Sequence, residues 1–218
     1  MAPQYVKPYV KSGKNDANDA EAICEAVGRP NMRFVAIKMI EQQVVQAEHR
    51  IRARLIKSRT ALSNEIRGLL AEFGIVLATS MGNLRRAIPV LLEDGENGLP
   101  GSFRVLLAKL GEELRAIDDM VAEYDARIAQ AVQQDDRIKR LLEIEGIGPV
   151  VASALVAAAG DAKQFSSGRD MAAWLGLTPR QHSSGGKNRL GGISKRGGQI
   201  CAHVTDSWRP VSVERGQE

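Results

Sequence analysis

The chain has 218 residues, with 30 Lys and Arg against 26 Asp and Glu, a formal net charge of +4 and 44% hydrophobic residues. It is too apolar for wholesale disorder, and with 4% aromatics and few β-branched runs it argues against an all-β sandwich or barrel. Two cysteines, Cys24 and Cys201, and three scattered histidines make neither a disulfide framework nor a zinc spacing.

The chain opens with Tyr5-Val6-Lys7-Pro8-Tyr9-Val10, a strand-like stretch broken by proline and so at best an edge strand. Asn15-Asp16 then starts a helix whose smaller face is Ala17, Ala20, Ala22, Ile23 and Ala26. Asp16 and Asp19, three apart, share one face at its amino end, where the helix dipole favours carboxylates even on a simple solvated helix start.

From about Met32 to Phe73 the apolar positions Ile37, Ile40, Val44, Ala47, Ile51, Leu55, Leu62, Ile66, Leu69 and Phe73 advance mostly in steps of three and four. This spacing predicts one long helix, roughly 60 Å at 1.5 Å per residue. The loop from Glu93 to Gly101 breaks the pattern, and a second helix is predicted from Phe103 to Gln134. Its expected face is Leu106, Leu110, Leu114, Ile117, Val121, Tyr124, Ile128 and Val132. The two predict an antiparallel coiled-coil hairpin over residues 31–135, an arm for homo-oligomerisation or for embracing a long ligand.

The next stretch, Leu142 to Ala152, carries Gly146-Ile147-Gly148-Pro149. A helix ending at Gly146, a tight turn through Gly148 and Pro149 in the first turn of a new helix describe a helix-hairpin-helix, whose turn amides face a DNA phosphate. A plain αα-hairpin has the same signature. The apolar run Val150 to Ala159 that follows is far too short to span a bilayer, and residues 1–14 hold no secretory apolar stretch, so a cytoplasmic protein with no membrane partner is expected.

Finally, Thr178 to Ile200 contains Arg180, Lys187, Arg189, Lys195 and Arg196, six glycines and no acid. Glycines let the backbone approach a polyanion while the cations neutralise it, although a solvated loop has the same composition. The spacing of a Walker loop is absent.

Taken in order, these landmarks resemble the DEDD insertion-sequence transposases of the "one-ten" family, bridge-RNA-guided DNA recombinases. The resemblance rests on Tyr5-Val6-Lys7-Pro8, Lys14 to Ile23, Arg59-Thr60-Ala61-Leu62, Ile66 to Gly74, Gly146-Ile147-Gly148, Gly176-Leu177-Thr178-Pro179, Ser183-Ser184-Gly185 and Ile193 to Gly197. It implies a RuvC-like domain with four acidic metal ligands, a coiled-coil arm and a C-terminal domain that supplies a serine. On this chain it implies a mainly α fold: a RuvC-like remnant at 1–30, the arm at 31–135, and a helical transposase domain with its hairpin turn and glycine-rich basic loop at 136–197. Asp16 and Asp19 match the last two acids and would hold Mg²⁺. Ser184 matches the nucleophile, with Ser183 its nearest confusable neighbour. Arg180, Lys187, Arg189, Lys195, Arg196, Gly146 and Gly148 are the expected nucleic-acid contacts. DNA and a structured guide RNA are the implied partners.

Two departures accompany the resemblance. A full-length relative would carry its first aspartate and its glutamate upstream of Asp16, so the chain reads as N-terminally truncated and is expected to be inactive. The alternative is then a non-catalytic DNA- or RNA-binding remnant that dimerises through its coiled coil. Beyond Gly197 the family continues with a helix resembling RYLRxLLIHGAR. Codons compatible with this chain's tail, read one base later, can spell GRYAHMLLIHGARSVL. Residues 198–218 are therefore expected to be frameshifted and disordered, with no function for Cys201, His203 or Trp208.

Overall fold

The computed structural model describes residues 1–193 except 2, 12, 14, 31, 33, 35, 36 and 182–189. The chain divides into two compact units, Met1–Met39 and Ile40–Glu218. The described residues are mainly helical, as the periodicity predicts.

In the first unit a single helical turn, α1 (Pro3–Val6), runs into a 3-10 turn at Lys7–Tyr9. The edge strand expected at Tyr5–Val10 is therefore corrected. Pro8 sits in the first turn of the 3-10 helix, where its missing N–H is no loss, and no described strand of this unit is available for pairing. Helix α2 (Asp16–Val27) follows, capped by Asn15, whose side chain accepts from the Asn18 amide at 2.7 Å. Only Ala22 and Ala26 of its small face are buried, while Ile23 remains exposed. Ion pairs Lys11–Glu21 and Arg29–Glu25 line its outside, and the Arg29 guanidinium lies 5.3 Å from the Tyr9 ring centroid.

The second unit is built on two long helices, α3 (Ile40–Glu72) and α5 (Gly101–Gln134). Glu48 pairs with Arg127, Arg52 with Asp125 and Arg59 with Asp118, so positions rise along one helix as they fall along the other. The two are thus antiparallel. Between them lies a helix that the periodicity did not predict, α4 (Met81–Glu93), capped by the Ser80 hydroxyl accepting from the Asn83 amide at 3.1 Å. The core of the three helices is Leu55, Leu62, Ile66 and Leu70 of α3, Leu84 and Ile88 of α4, and Phe103, Leu107, Leu114, Ile117 and Val121 of α5.

Both predicted faces need correction. Helix α3 begins at Ile40 rather than Met32, and Ile37, 95% exposed, lies outside it. Ile40 and Val44 are also exposed, because the first turns of α3 meet a later helix through Gln46 and His49 instead. At the start of α5 the buried positions are Phe103, Leu107 and Gly111, while Leu106 of the predicted face is exposed and Leu110 is partly buried against the core. Helix α4 is the cause: a Cβ on Gly111 would stand 3.0 Å from Ile88 Cγ2, so this end of α5 turns its face towards α4. The expected break at Glu93–Gly101 is present and is held by Arg104. That guanidinium donates to the carbonyls of Leu91 at 2.8 Å and Asp94 at 2.6 Å and to Asn97 Oδ1 at 2.5 Å.

Two further helices, α6 (Asp136–Leu142) and α7 (Pro149–Ala159), follow, then a 3-10 turn at Ala162–Gln164 and α8 (Gly168–Trp174). Strands β1 (Pro179–Gln181) and β2 (Leu190–Ile193) pair antiparallel, with Pro179 opposite Ile193 and Gln181 opposite Leu190. Helix α7 packs on α3, α5 and α6 at once, and Val151, Ala152, Ser153, Ala154, Leu155 and Ala157 are all buried. No described helix is long and apolar enough to cross a membrane.

Candidate nucleic-acid interface

Asp16 and Asp19 stand on the first turn of α2, and both are exposed. Asn18 between them anchors the preceding loop, its side-chain amide donating to the Gly13 carbonyl at 3.0 Å. Among the described residues no group of three or more His, Cys, Asp or Glu could hold a metal ion. Two carboxylates at an exposed helix start do not by themselves supply the oxygen-rich shell that Mg²⁺ takes.

The hairpin is built by α6, its turn and α7. Asp135 caps α6, accepting from the Arg137 amide at 2.8 Å and from its guanidinium, and these bonds hold the Asp135 carboxyl below the usual carboxylate range. Arg137 also donates to the Gly160 carbonyl at 3.1 Å, tying the start of α6 to the end of α7. Helix α6 ends at Leu142, four residues before the position expected from sequence. The chain then turns with the Ile147 amide donating to the Ile144 carbonyl at 3.1 Å, and Gly146 adopts φ +85°, a left-handed conformation that favours glycine. Gly148 is the cap residue of α7, with Pro149 in the first turn and no side chain capping the helix. Its φ of −89° suits any residue, and an added Cβ would meet nothing within 4 Å. Inside the chain, then, neither backbone strain nor crowding requires glycine at 148, and the turn's surface is open at that point. Ile147 anchors the turn from below, packed with Leu141 against Val151, Leu155 and Leu175.

A polar seam missed from sequence joins α7 to α3. Gln46 Nε2 donates to the Ala157 carbonyl at 2.7 Å, His49 Nε2 lies 3.1 Å from Ser153 Oγ, and a Cβ on Gly160 would meet Gln42 Nε2 at 2.6 Å. Gln42, Gln46 and His49 are spaced four and three apart, as are the small residues Ser153, Ala157 and Gly160 in the opposite order. The small residues allow close approach, and the polar partners satisfy groups that the contact buries. An Ala-rich helix beside a glutamine-spaced helix is the only signal of it in the sequence.

The first cation of the acid-free segment, Arg180, has its backbone in β1, and β2 lies farther along the same segment. The paired strands correct the expectation of a loop throughout: Pro179–Gln181 and Leu190–Ile193 within the segment hydrogen-bond to each other. Ser183, Ser184, Lys187, Arg189, Lys195 and Arg196 lie outside the described residues, as does the tail at 198–218.

Comparison with known proteins supplies the context. Residues 138–201, from α6 through the acid-free segment, match the family model described as Transposase IS116/IS110/IS902 family. The chain is 55% identical over 201 residues to a probable family 20 transposase of Pseudomonas aeruginosa, an alignment covering 90% of this chain and 59% of the relative. It is 46% identical over 197 residues to the transposase for insertion sequence element IS1111A of Coxiella burnetii (90% of this chain, 54% of the relative). It is 41% identical over 215 residues to the transposase for insertion sequence element IS1328 of Yersinia enterocolitica (99% and 64%). The chain thus spans between 54% and 64% of the length of these relatives.

Proposed function

We propose that this chain, similar in sequence to transposases of the IS116/IS110/IS902 family, is a DNA-binding part of a transposition machinery, with Ser184 as the nucleophile of strand cleavage and exchange. The observation that carries the DNA-binding half is the α6–α7 turn. Its glycine at 148 has no internal requirement, α7 has no side-chain cap, and the match to the family begins at this hairpin. Uncapped amides at a helix start favour an anion such as a backbone phosphate. Gly146 shapes the turn and Gly148 keeps it open. Arg180, Lys187, Arg189, Lys195 and Arg196 add charge that neutralises phosphates in the acid-free segment.

The serine chemistry rests on the family resemblance. Ser184 Oγ attacks a DNA phosphorus, a deoxyribose oxygen leaves and takes up a proton, and a phosphoserine ester conserves the bond energy for rejoining to another strand. Mg²⁺ at Asp16 and Asp19 belongs to the same resemblance and would stabilise phosphoryl charge when bound. The two described carboxylates are too few to hold it alone. A structured guide RNA and self-association along α3 and α5 complete this reading.

The exposed Asp16–Asp19 pair, with no third metal ligand beside it among the described residues, favours a second reading, nucleic-acid binding without catalysis. Incubation with radiolabelled insertion-sequence ends separates the two. A covalent protein–DNA adduct that disappears in Ser184→Ala supports catalysis. Salt-sensitive binding without adduct supports the binding reading, and an adduct that survives in Ser184→Ala but disappears in Ser183→Ala moves the nucleophile by one residue.

A further inference from the structure

The outer side of α3 carries three cations that the proposed function does not use. Arg50, Arg54 and Lys57, spaced four and three apart, share one helix face and are all exposed. Other arginines of α3 are engaged, Arg52 with Asp125 and Arg59 with Asp118, whereas these three have no carboxylate partner among the described residues. No acid stands three or four positions from any of them in the sequence. They lie roughly 100° to 160° around the helix from Leu55, Leu62 and Ile66, the residues that face α5, so the stripe is off the side that meets α5. The exposed side of α5 has the opposite balance, with Glu112, Glu113, Asp119 and Glu123.

The seam places this stripe along the molecule. Gly160 meets Gln42, Ala157 meets Gln46 and Ser153 meets His49, so α7 descends as α3 rises. Continuing the same step puts Pro149 level with Ala53, and the Gly146–Gly148 turn level with Arg54 and Lys57. Arg54 and Lys57 therefore stand near the level of the hairpin turn, and Arg50 level with Ala152 in the first turn of α7.

We propose that Arg50, Arg54 and Lys57 form a docking stripe for the phosphate backbone of double-stranded DNA, extending the contact made at the hairpin; the assignment rests on the DNA-binding reading above. The stripe spans about 10 Å of helix axis, comparable to the axial rise of three phosphates on one strand of B-DNA. Helix α3 has no Phe, Tyr or Trp on which an unpaired base could stack, which favours a duplex contacted through its backbone over a single strand.

The test is the salt dependence of binding of the full chain to a 30-base-pair DNA duplex. Each phosphate neutralised contributes about 0.9 to the slope of log affinity against log salt, so R50Q/R54Q/K57Q is expected to lower the slope magnitude by about 2 to 3. The substitutions are exposed, and unchanged helical circular dichroism and unfolding midpoint confirm that the fold is intact. The double variant K109Q/R115Q, on the exposed side of α5, is expected to keep the parent slope, which separates a local contact from net charge. An unchanged slope in the triple variant of a chain that binds DNA overturns the stripe and leaves the hairpin reading standing. A parent chain that binds no DNA overturns both. A slope that falls for an RNA duplex but not for DNA overturns the choice of DNA.

Discussion

Asp118 shows how much one side chain can carry in this unit. Arg85 grips it with two bonds, Nε to Oδ2 at 2.7 Å and Nη2 to Oδ1 at 2.6 Å, and Arg59 adds a third at 3.2 Å. It thereby joins α3, α4 and α5 at one point. Burial pushes its carboxyl up, but the two guanidinium groups outweigh that and hold it below the ordinary range. A depressed folded value means that the unfolded chain takes up the proton first as pH falls. The stabilisation is therefore complete above the unfolded pKa of about 4 and is lost as pH drops through the folded value. Asp118→Asn is expected to cost about 1 kcal/mol at neutral pH, a modest figure because Arg85 is 43% exposed and solvent screens the pair. Urea titrations from pH 7 to pH 2 should show the gap between parent and variant closing below pH 4. A constant gap would mean that Asp118 acts by packing rather than by charge. None of this was legible in sequence, where Arg59, Arg85 and Asp118 are simply charges on three separate stretches.

Among the elements, the long helices were readable and their faces only partly so. Apolar steps of three and four identify a helix wherever its partner is apolar, and Leu55, Leu62, Ile66, Leu114, Ile117, Val121 and Ile128 are buried as predicted. The same steps misled at Ile40 and Val44, because α7 offers small residues and polar groups rather than an apolar ridge. Ser153 is 1% exposed in that seam, so a larger side chain has no room without separating α3 from α7. Ser153→Leu is expected to destabilise by about 1–3 kcal/mol through overpacking, despite its greater hydrophobicity. Thermal unfolding checks this: a raised midpoint would show that the seam is loosely packed. Helix α4 went unpredicted although its signals were present, Ser80 three residues before Asn83 and Leu84, Ile88, Leu91 and Leu92 at helical spacing. Pro89 interrupts that pattern, and a proline inside a helix argues against one until neighbouring helices bury its face.

At the scale of the whole molecule, the net charge of +4 averages over unlike surfaces. The side chains at the centre of the serine proposal lie in the acid-free segment, and the three cations of the docking stripe lie far from it in sequence. The reading of 198–218 as out-of-frame sequence belongs to this scale too, since it concerns how much of the chain contributes to the fold. A chain ending at Gly197 is expected to keep its helical content and to unfold within about 2 °C of the parent, a shift too small to represent a lost packing element. A fall of more than about 4 °C, roughly 1 kcal/mol for a domain of this size, would show that the tail is structural.

The sequence by itself determined the helical class, the two long helices, the glycine–proline hairpin and the similarity to insertion-sequence transposases. Each of these depends on neighbours a few positions apart, where the geometry of one helix or turn dictates which residue types recur. The tertiary structure alone decided that α4 packs on both α3 and α5, that polar side chains seat the hairpin on α3, and that among the described residues Arg50, Arg54 and Lys57 have no acid to neutralise them while Arg52 and Arg59 do. Those outcomes depend on which faces meet across separations that run from 23 residues between Ile88 and Gly111 to 111 between Gln46 and Ala157. Spacing along one helix records that a face exists; only packing establishes what lies against it.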